Sequence, residues 1–110
     1  MAQAKTWVGL DVHAAKVVAA VVDVGSGELR AQRLPGRTAT VAEFCGGRPG
    51  PVRASYEAGP TGFGLARALE RVGVRCVVAA PGKIARPATD RVKTDRRDAE
   101  LLVRLVMAGS

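Results

Sequence analysis

The run Trp7–Val8–Gly9–Leu10–Asp11–Val12–His13 carries one acid near the end of an otherwise apolar stretch, and no other feature restricts the fold as much. A strand covered on both faces of an α/β sheet reads as a near-continuous apolar run. The two-residue alternation of a strand puts Val8, Leu10 and Val12 on one face and Gly9, Asp11 and His13 on the other. A carboxylate that far into a buried strand is costly unless it is paired or binds a metal. The rest of the chain must supply its partners, or the strand must end in solvent there.

The following segments fall into a regular order. His13–Ala14–Ala15 leaves room only for a tight turn, so Lys16 to Val24 is predicted to be the antiparallel neighbour of the first strand. Gly25–Ser26–Gly27–Glu28 marks a second turn, and Leu29 to Leu34 a third strand whose Arg30, Gln32 and Arg33 mark it as an edge. Pro35 and Gly36 close this meander. Thr38 or Thr40 can cap a short helix through Phe44, which Gly46 and Gly47 end. Val52 to Glu57 reads as a fourth strand that finishes on an acid, as the first does. Gly59 to Gly64 turns the chain into a helix with Leu65, Leu69 and Val72 on one stripe, closed by Gly73. This turn lacks the Lys-Ser/Thr ending of a P-loop, which favours a turn-forming role for its glycines. Val74 to Ala80 is a fifth strand, parallel to the fourth through a right-handed crossover. Lys83 to Lys93 reads as a basic, irregular loop, mobile or ordered by a ligand. The last helix is expected from near Thr94 to about Ala108, with Asp95, Asp98, Leu102 and Leu105 on one stripe.

This succession predicts a single α/β domain over residues 1–110. Its mixed five-stranded sheet has the order 3-2-1-4-5, an antiparallel meander in the first three strands and helices on both faces, which is the ribonuclease H-like order of elements. Asp11 and Glu57 then meet at the switch point of the sheet, where open α/β sheets bind ligands. Neighbouring carboxylates repel, and one protonates unless a cation lies between them. Two divalent metals satisfy four carboxylates and clamp a phosphodiester, and magnesium suits an all-oxygen set. Simpler readings exist for each acid: Asp95 and Asp98 as acids at a helix N-terminus, Glu57 as a loop acid, His13 as a turn histidine.

Composition narrows the partners. Hydrophobic residues make up 47% and aromatic residues 4%, so the core is built from valine, alanine and leucine. No run approaches the roughly 20 apolar residues of a membrane span and the N-terminus has no signal-peptide pattern, so a cytoplasmic location without membrane contact is expected. Cys45 and Cys76 lack nearby Cys or His partners in sequence and read as buried free thiols. A net charge of +7 and a pI near 10.5, carried mostly by arginine, are consistent with a nucleic-acid partner; a basic domain that binds nothing anionic, or the residue bias of a GC-rich coding sequence, accounts for the same composition.

Four segments carry a resemblance: Gly9–Leu10–Asp11–Val12–His13, Tyr56–Glu57–Ala58–Gly59–Pro60–Thr61–Gly62, Val77–Val78–Ala79–Ala80–Pro81 and Arg91–Val92–Lys93–Thr94–Asp95–Arg96–Arg97–Asp98–Ala99. Together they resemble the N-terminal domain of the DEDD transposases of the one-ten insertion-sequence family, relatives of the pilin-gene invertase. The resemblance covers essentially the whole chain. It implies a RuvC-like domain in which Asp11, Glu57, Asp95 and Asp98 form the catalytic tetrad and hold Mg²⁺, with Mn²⁺ as a substitute. It further implies DNA cleavage and strand transfer in transposition, a structured guide (bridge) RNA, and a homo-oligomer in the full-length protein. The family's helical connector and C-terminal serine domain are absent from these 110 residues, and Ser26, Ser55 and Ser110 match no nucleophile motif.

Arg91, Lys93, Arg96 and Arg97 flank the acids and are the expected nucleic-acid backbone contacts; the alternative is a solvated face that balances the acids. Two other functions fit parts of the pattern. One is a nucleic-acid-binding and oligomerisation fragment without independent catalysis. The other is an actin-like nucleotide phosphotransferase, which begins with a similar strand, acid and hairpin but gives the Asp95/Asp98 pair no role.

Overall fold

The alternation read from the first strand sets the architecture. In the computed structural model, residues 3–13, 15–59, 63–80 and 91–109 are described, with the side chains of 91–95 and 109 outside that description. The strands are β1 (Thr6–Val12), β2 (Lys16–Asp23), β3 (Leu29–Pro35), β4 (Val52–Glu57) and β5 (Arg75–Ala79). The helices are α1 (Thr38–Gly46), α2 (Gly64–Arg71) and α3 (Arg91–Gly109). The sheet order is β3-β2-β1-β4-β5; β1, β2 and β3 are antiparallel, while β4 runs parallel to β1 and β5 parallel to β4. This is the mixed α/β sheet expected from the sequence.

The two faces of β1 bury different cores. Val8 and Leu10 point into the larger one, with Val17, Ala19, Ala54 and Tyr56 of the neighbouring strands beneath α1 and α2. On the opposite face, Val18 and Ala20 meet Ala99, Val103 and Val106 of α3, bordered by Trp7, Val22 and Leu29. The guanidinium of Arg53 lies over the Trp7 ring, 5.5 Å from its centroid, and covers that border.

Tyr56 links the sheet to α2. Phe63 occupies the N-cap position and has no side-chain oxygen to offer, so the first turn of α2 needs another acceptor. The backbone N–H of Ala66 donates to the Tyr56 hydroxyl at 3.1 Å. Burial raises the phenol above its usual pKa, against the opposing effect of that N–H.

Element ends differ from the sequence expectation in identifiable ways. β2 stops at Asp23 because that carboxylate accepts the backbone N–H groups of Gly25 and Ser26, at 2.8 and 3.3 Å, and so starts the turn. Arg37, in extended conformation, takes the N-cap position of α1; neither threonine caps it. Val72 is exposed: α2 ends one residue earlier, and the buried side chains are Leu65, Ala66 and Leu69. Val74 fills the core beyond Gly73, whose φ of 84° makes the stop. α3 begins at Arg91, so the final residues of the expected loop are helical, and the remainder, 83–90, lies outside the described residues. The turn at 60–62 and Ala14 lie outside them as well. Cys45 and Cys76 are both free. Among the described residues, no helix is long and apolar enough to cross a membrane.

Candidate acidic site

Pairing between β1 and β4 brings the first two acids together. The parallel register runs from Thr6↔Val52 to Gly9↔Ser55 and Leu10↔Tyr56, and one further step sets Asp11 beside Glu57. Adjacent strands lie about 4.8 Å apart. Asp11 is 2% exposed, and one oxygen of Glu57, Oε2, is shielded from solvent. Both acids share the face of Gly9 and Ser55, the face that α3 covers.

Gly9 determines how closely α3 can approach. A Cβ at this position would stand 2.3 Å from the Ala99 carbonyl oxygen and 2.4 Å from the Val103 nitrogen, so the helix backbone rests directly on the strand. The row Trp7, Val22 and Leu29 borders the cluster that contains Val106, as it must when α3 returns antiparallel to β1 after a parallel strand. From Gly9 to Asp11 the strand rises about 6.6 Å, which equals about four residues of helix at 1.5 Å each. Counted back from the Ala99–Val103 contact, this height falls between Asp95 and Asp98. Asp98 is 2% exposed, among the most buried polar groups of the chain.

The same contact corrects the expected stripe of α3. Among its described side chains the buried ones are Asp98, Ala99, Leu102, Val103 and Val106, whereas Leu105 is 42% exposed. Small Ala99 above Gly9 lets the helix roll toward Val103 and Val106, turning Leu105 outward. The reading of Asp95 and Asp98 as first-turn acids also fails, because α3 starts at Arg91 and its first turn holds no acid. The side chain of Asp95 lies outside the described residues.

His13 reaches back along the face it shares with Asp11. Its Nε2 lies 2.7 Å from Asp11 Oδ2, and its backbone N–H donates to the Lys16 carbonyl at 2.9 Å, which fixes the residue at the start of the β1–β2 turn. His13 also borders a small cavity with Val12, Thr38 and Gly64, at the N-terminal ends of α1 and α2. Sequence reasoning treated His13 as a turn residue and did not anticipate the Asp11 contact, although i, i+2 spacing on a strand permits it. It also passed over the glycine inside a strand, the usual sign of a close backbone approach.

Of the expected basic contacts, Arg96 and Arg97 are exposed on α3, and Arg96 donates from Nε to Glu100 Oε2 at 3.2 Å. The side chains of Arg91 and Lys93 lie outside the described residues. Among the described residues, no group of three or more His, Cys, Asp or Glu is gathered closely enough to hold a metal ion. Asp11 on β1 and Asp98 on α3 are both buried, Glu57 ends the adjacent strand β4, and Arg96 and Arg97 are exposed on α3.

Comparison with known proteins finds relatives named as transposases. Over 106 residues, 93% of its length, the chain is 39% identical to the transposase for insertion sequence element IS1533 of Leptospira borgpetersenii, and it spans 31% of that protein. Over 54 residues, 49% of its length, it is 57% identical to the Sinorhizobium fredii protein y4qE, whose name also carries the word transposase; the match spans 14% of that protein. No protein-family model matches the chain. The chain is therefore related to proteins named as transposases, and it spans about a third of the length of the first.

Proposed function

We propose that the chain is the acid-bearing, RuvC-like domain of an insertion-sequence transposase of the DEDD type, and that Asp11, Glu57, Asp95 and Asp98 hold Mg²⁺ against a DNA phosphodiester. One observation carries this reading: Asp11 and Asp98 are each 2% exposed, on a strand and a helix that pack together, and the strand paired in parallel with β1 finishes on Glu57. Burying two carboxylates on facing elements is costly for a protein that uses them only for structure. An all-carboxylate set matches the preference of Mg²⁺ for oxygen. When bound, Mg²⁺ supplies charge neutralisation at the phosphate and orients the attacking and leaving oxygens.

The chain's own residues supply position and field. β1 and β4 fix Asp11 and Glu57 on adjacent strands, and α3 carries its acids in against Gly9 without an intervening side chain. Arg96 and Arg97, exposed on the same helix, hold neighbouring phosphates and offset repulsion between the DNA and the acids. DNA as substrate, a structured guide RNA and assembly with further copies complete the proposal.

A second reading, nucleic-acid binding without chemistry, is favoured by the net charge of +7 and by Arg96 and Arg97 exposed on α3. Calorimetric titration with Mn²⁺ separates the two. Saturable binding by the chain, lost in both Asp11→Asn and Asp98→Asn, is the expected result. No saturable binding, together with DNA affinity indifferent to divalent ions, overturns the metal reading in favour of the second.

A further inference from the structure

We propose that His13 is a positioning residue for Asp11: its imidazole holds the carboxylate in the one orientation in which Asp11 joins the other acids around a cation. The inference rests on the metal reading above and extends it to a residue outside the four acids.

Three observations carry it. The Nε2–Oδ2 distance of 2.7 Å is that of a charge-assisted hydrogen bond, and an ionised carboxylate only accepts, so Nε2 carries the proton. Asp11 is buried while the His13 side chain is 36% exposed, so the histidine is the outer of the two and stands between the acid and solvent. The His13 backbone is itself pinned to Lys16 across the β1–β2 turn, which gives the ring a fixed base.

A buried aspartate has little freedom at χ1 but swings its carboxyl plane over a broad range at χ2. A hydrogen bond to one oxygen removes that swing and commits Oδ2. Asp11 therefore presents a set edge to whatever lies between β1, β4 and α3. Carboxylates that bind metals are commonly held by hydrogen-bonded neighbours of this kind, and losing such a neighbour weakens metal affinity about 10- to 100-fold.

The test compares Mn²⁺ affinity at one pH for the unmodified chain, His13→Ala, His13→Gln and Asp11→Asn, by calorimetry, with urea unfolding of each. His13→Ala is expected to bind about 10- to 100-fold more weakly at nearly unchanged stability. Glutamine places an amide N–H near the Nε2 position, so His13→Gln should recover most of the loss. Affinity in His13→Ala equal to that of the unmodified chain, with Asp11→Asn inactive in binding, overturns the role of His13 and leaves the metal reading intact. Equal weakness of His13→Ala and His13→Gln also overturns it, because the donor would then not matter. Absence of saturable Mn²⁺ binding in the unmodified chain overturns both.

Discussion

Replacing Gly9 with alanine probes the contact on which the acidic site depends. The new Cβ would stand 2.3 Å from the Ala99 oxygen, where ordinary contact begins at 3.4 Å, so α3 must retreat by about 1 Å. Two responses compete. Releasing α3 would expose Leu102, Val103 and Val106 at about 1.5–3 kcal/mol each, or about 4.5–9 kcal/mol together. Lifting it by about 1 Å forfeits a quarter to a half of the dispersion contacts beneath it, and overpacking of this kind costs about 1–3 kcal/mol. The lift is the smaller cost, so the helix stays docked but raised. A chain of this size has about 5–16 kcal/mol in total and remains folded. Urea unfolding should show a loss of about 1–3 kcal/mol with an unchanged m value. Gly64→Ala serves as the control, because a Cβ there meets nothing within 4 Å and alanine favours the helix; stability should hold or rise by up to about 1 kcal/mol. A loss below about 0.5 kcal/mol in Gly9→Ala would refute the direct seating of α3 on β1. A clear fall in m would refute the lift in favour of release.

The remaining predictions concern the thiols and the arginines. Burial pushes Cys45 and Cys76 up to about 12 from an ordinary 9.0, so the folded chain keeps protons that the unfolded chain releases. Their contribution to stability is full below about pH 9 and is lost as the pH rises toward 12; the urea midpoint should fall between pH 8.5 and about 11, and less steeply in Cys45→Ala. A midpoint that rises over this range contradicts the assignment. Replacing Arg96 and Arg97 with alanine should weaken duplex DNA binding and reduce the slope of log affinity against log salt by up to about 2, read by fluorescence anisotropy. An unchanged slope would assign these side chains to a solvated face.

The sheet was legible because β1 and β2 are bounded by short turns, and because two strands that end on acids leave few ways to order the remainder. Asp11 and Glu57 followed from that order alone. The roll of α3 was not legible, since a helix carrying leucines at 101, 102 and 105 and valines at 103 and 106 satisfies several stripes equally. What selects among them is a backbone contact at Gly9, a residue without a side chain to leave a pattern. The start of α3 was misplaced for a related reason: Arg91 to Lys93 carry no apolar periodicity, but helical dihedrals do not require it. Val72 looked like the next position of a stripe, yet the positive φ of Gly73 had already ended the helix. The His13–Asp11 bond depends on side-chain torsions, which spacing permits and does not specify.

The unequal division of the core has a consequence for how the site opens. α1 and α2 share the broad interior beneath one face of the sheet, whereas α3 closes the other face mainly with Ala99, Leu102, Val103 and Val106. The thinner seam is the one that carries Asp98 on its helix and Asp11 on its strand. Local opening of α3 would therefore dismantle the acidic end in a single event while the sheet beneath α1 and α2 stays closed. By linkage, any ligand that bridges β1 and α3 slows amide exchange along that helix by the factor 1 + [L]/Kd and leaves exchange across the opposite interior nearly unchanged. For such a ligand, binding and closure of the helix are one equilibrium.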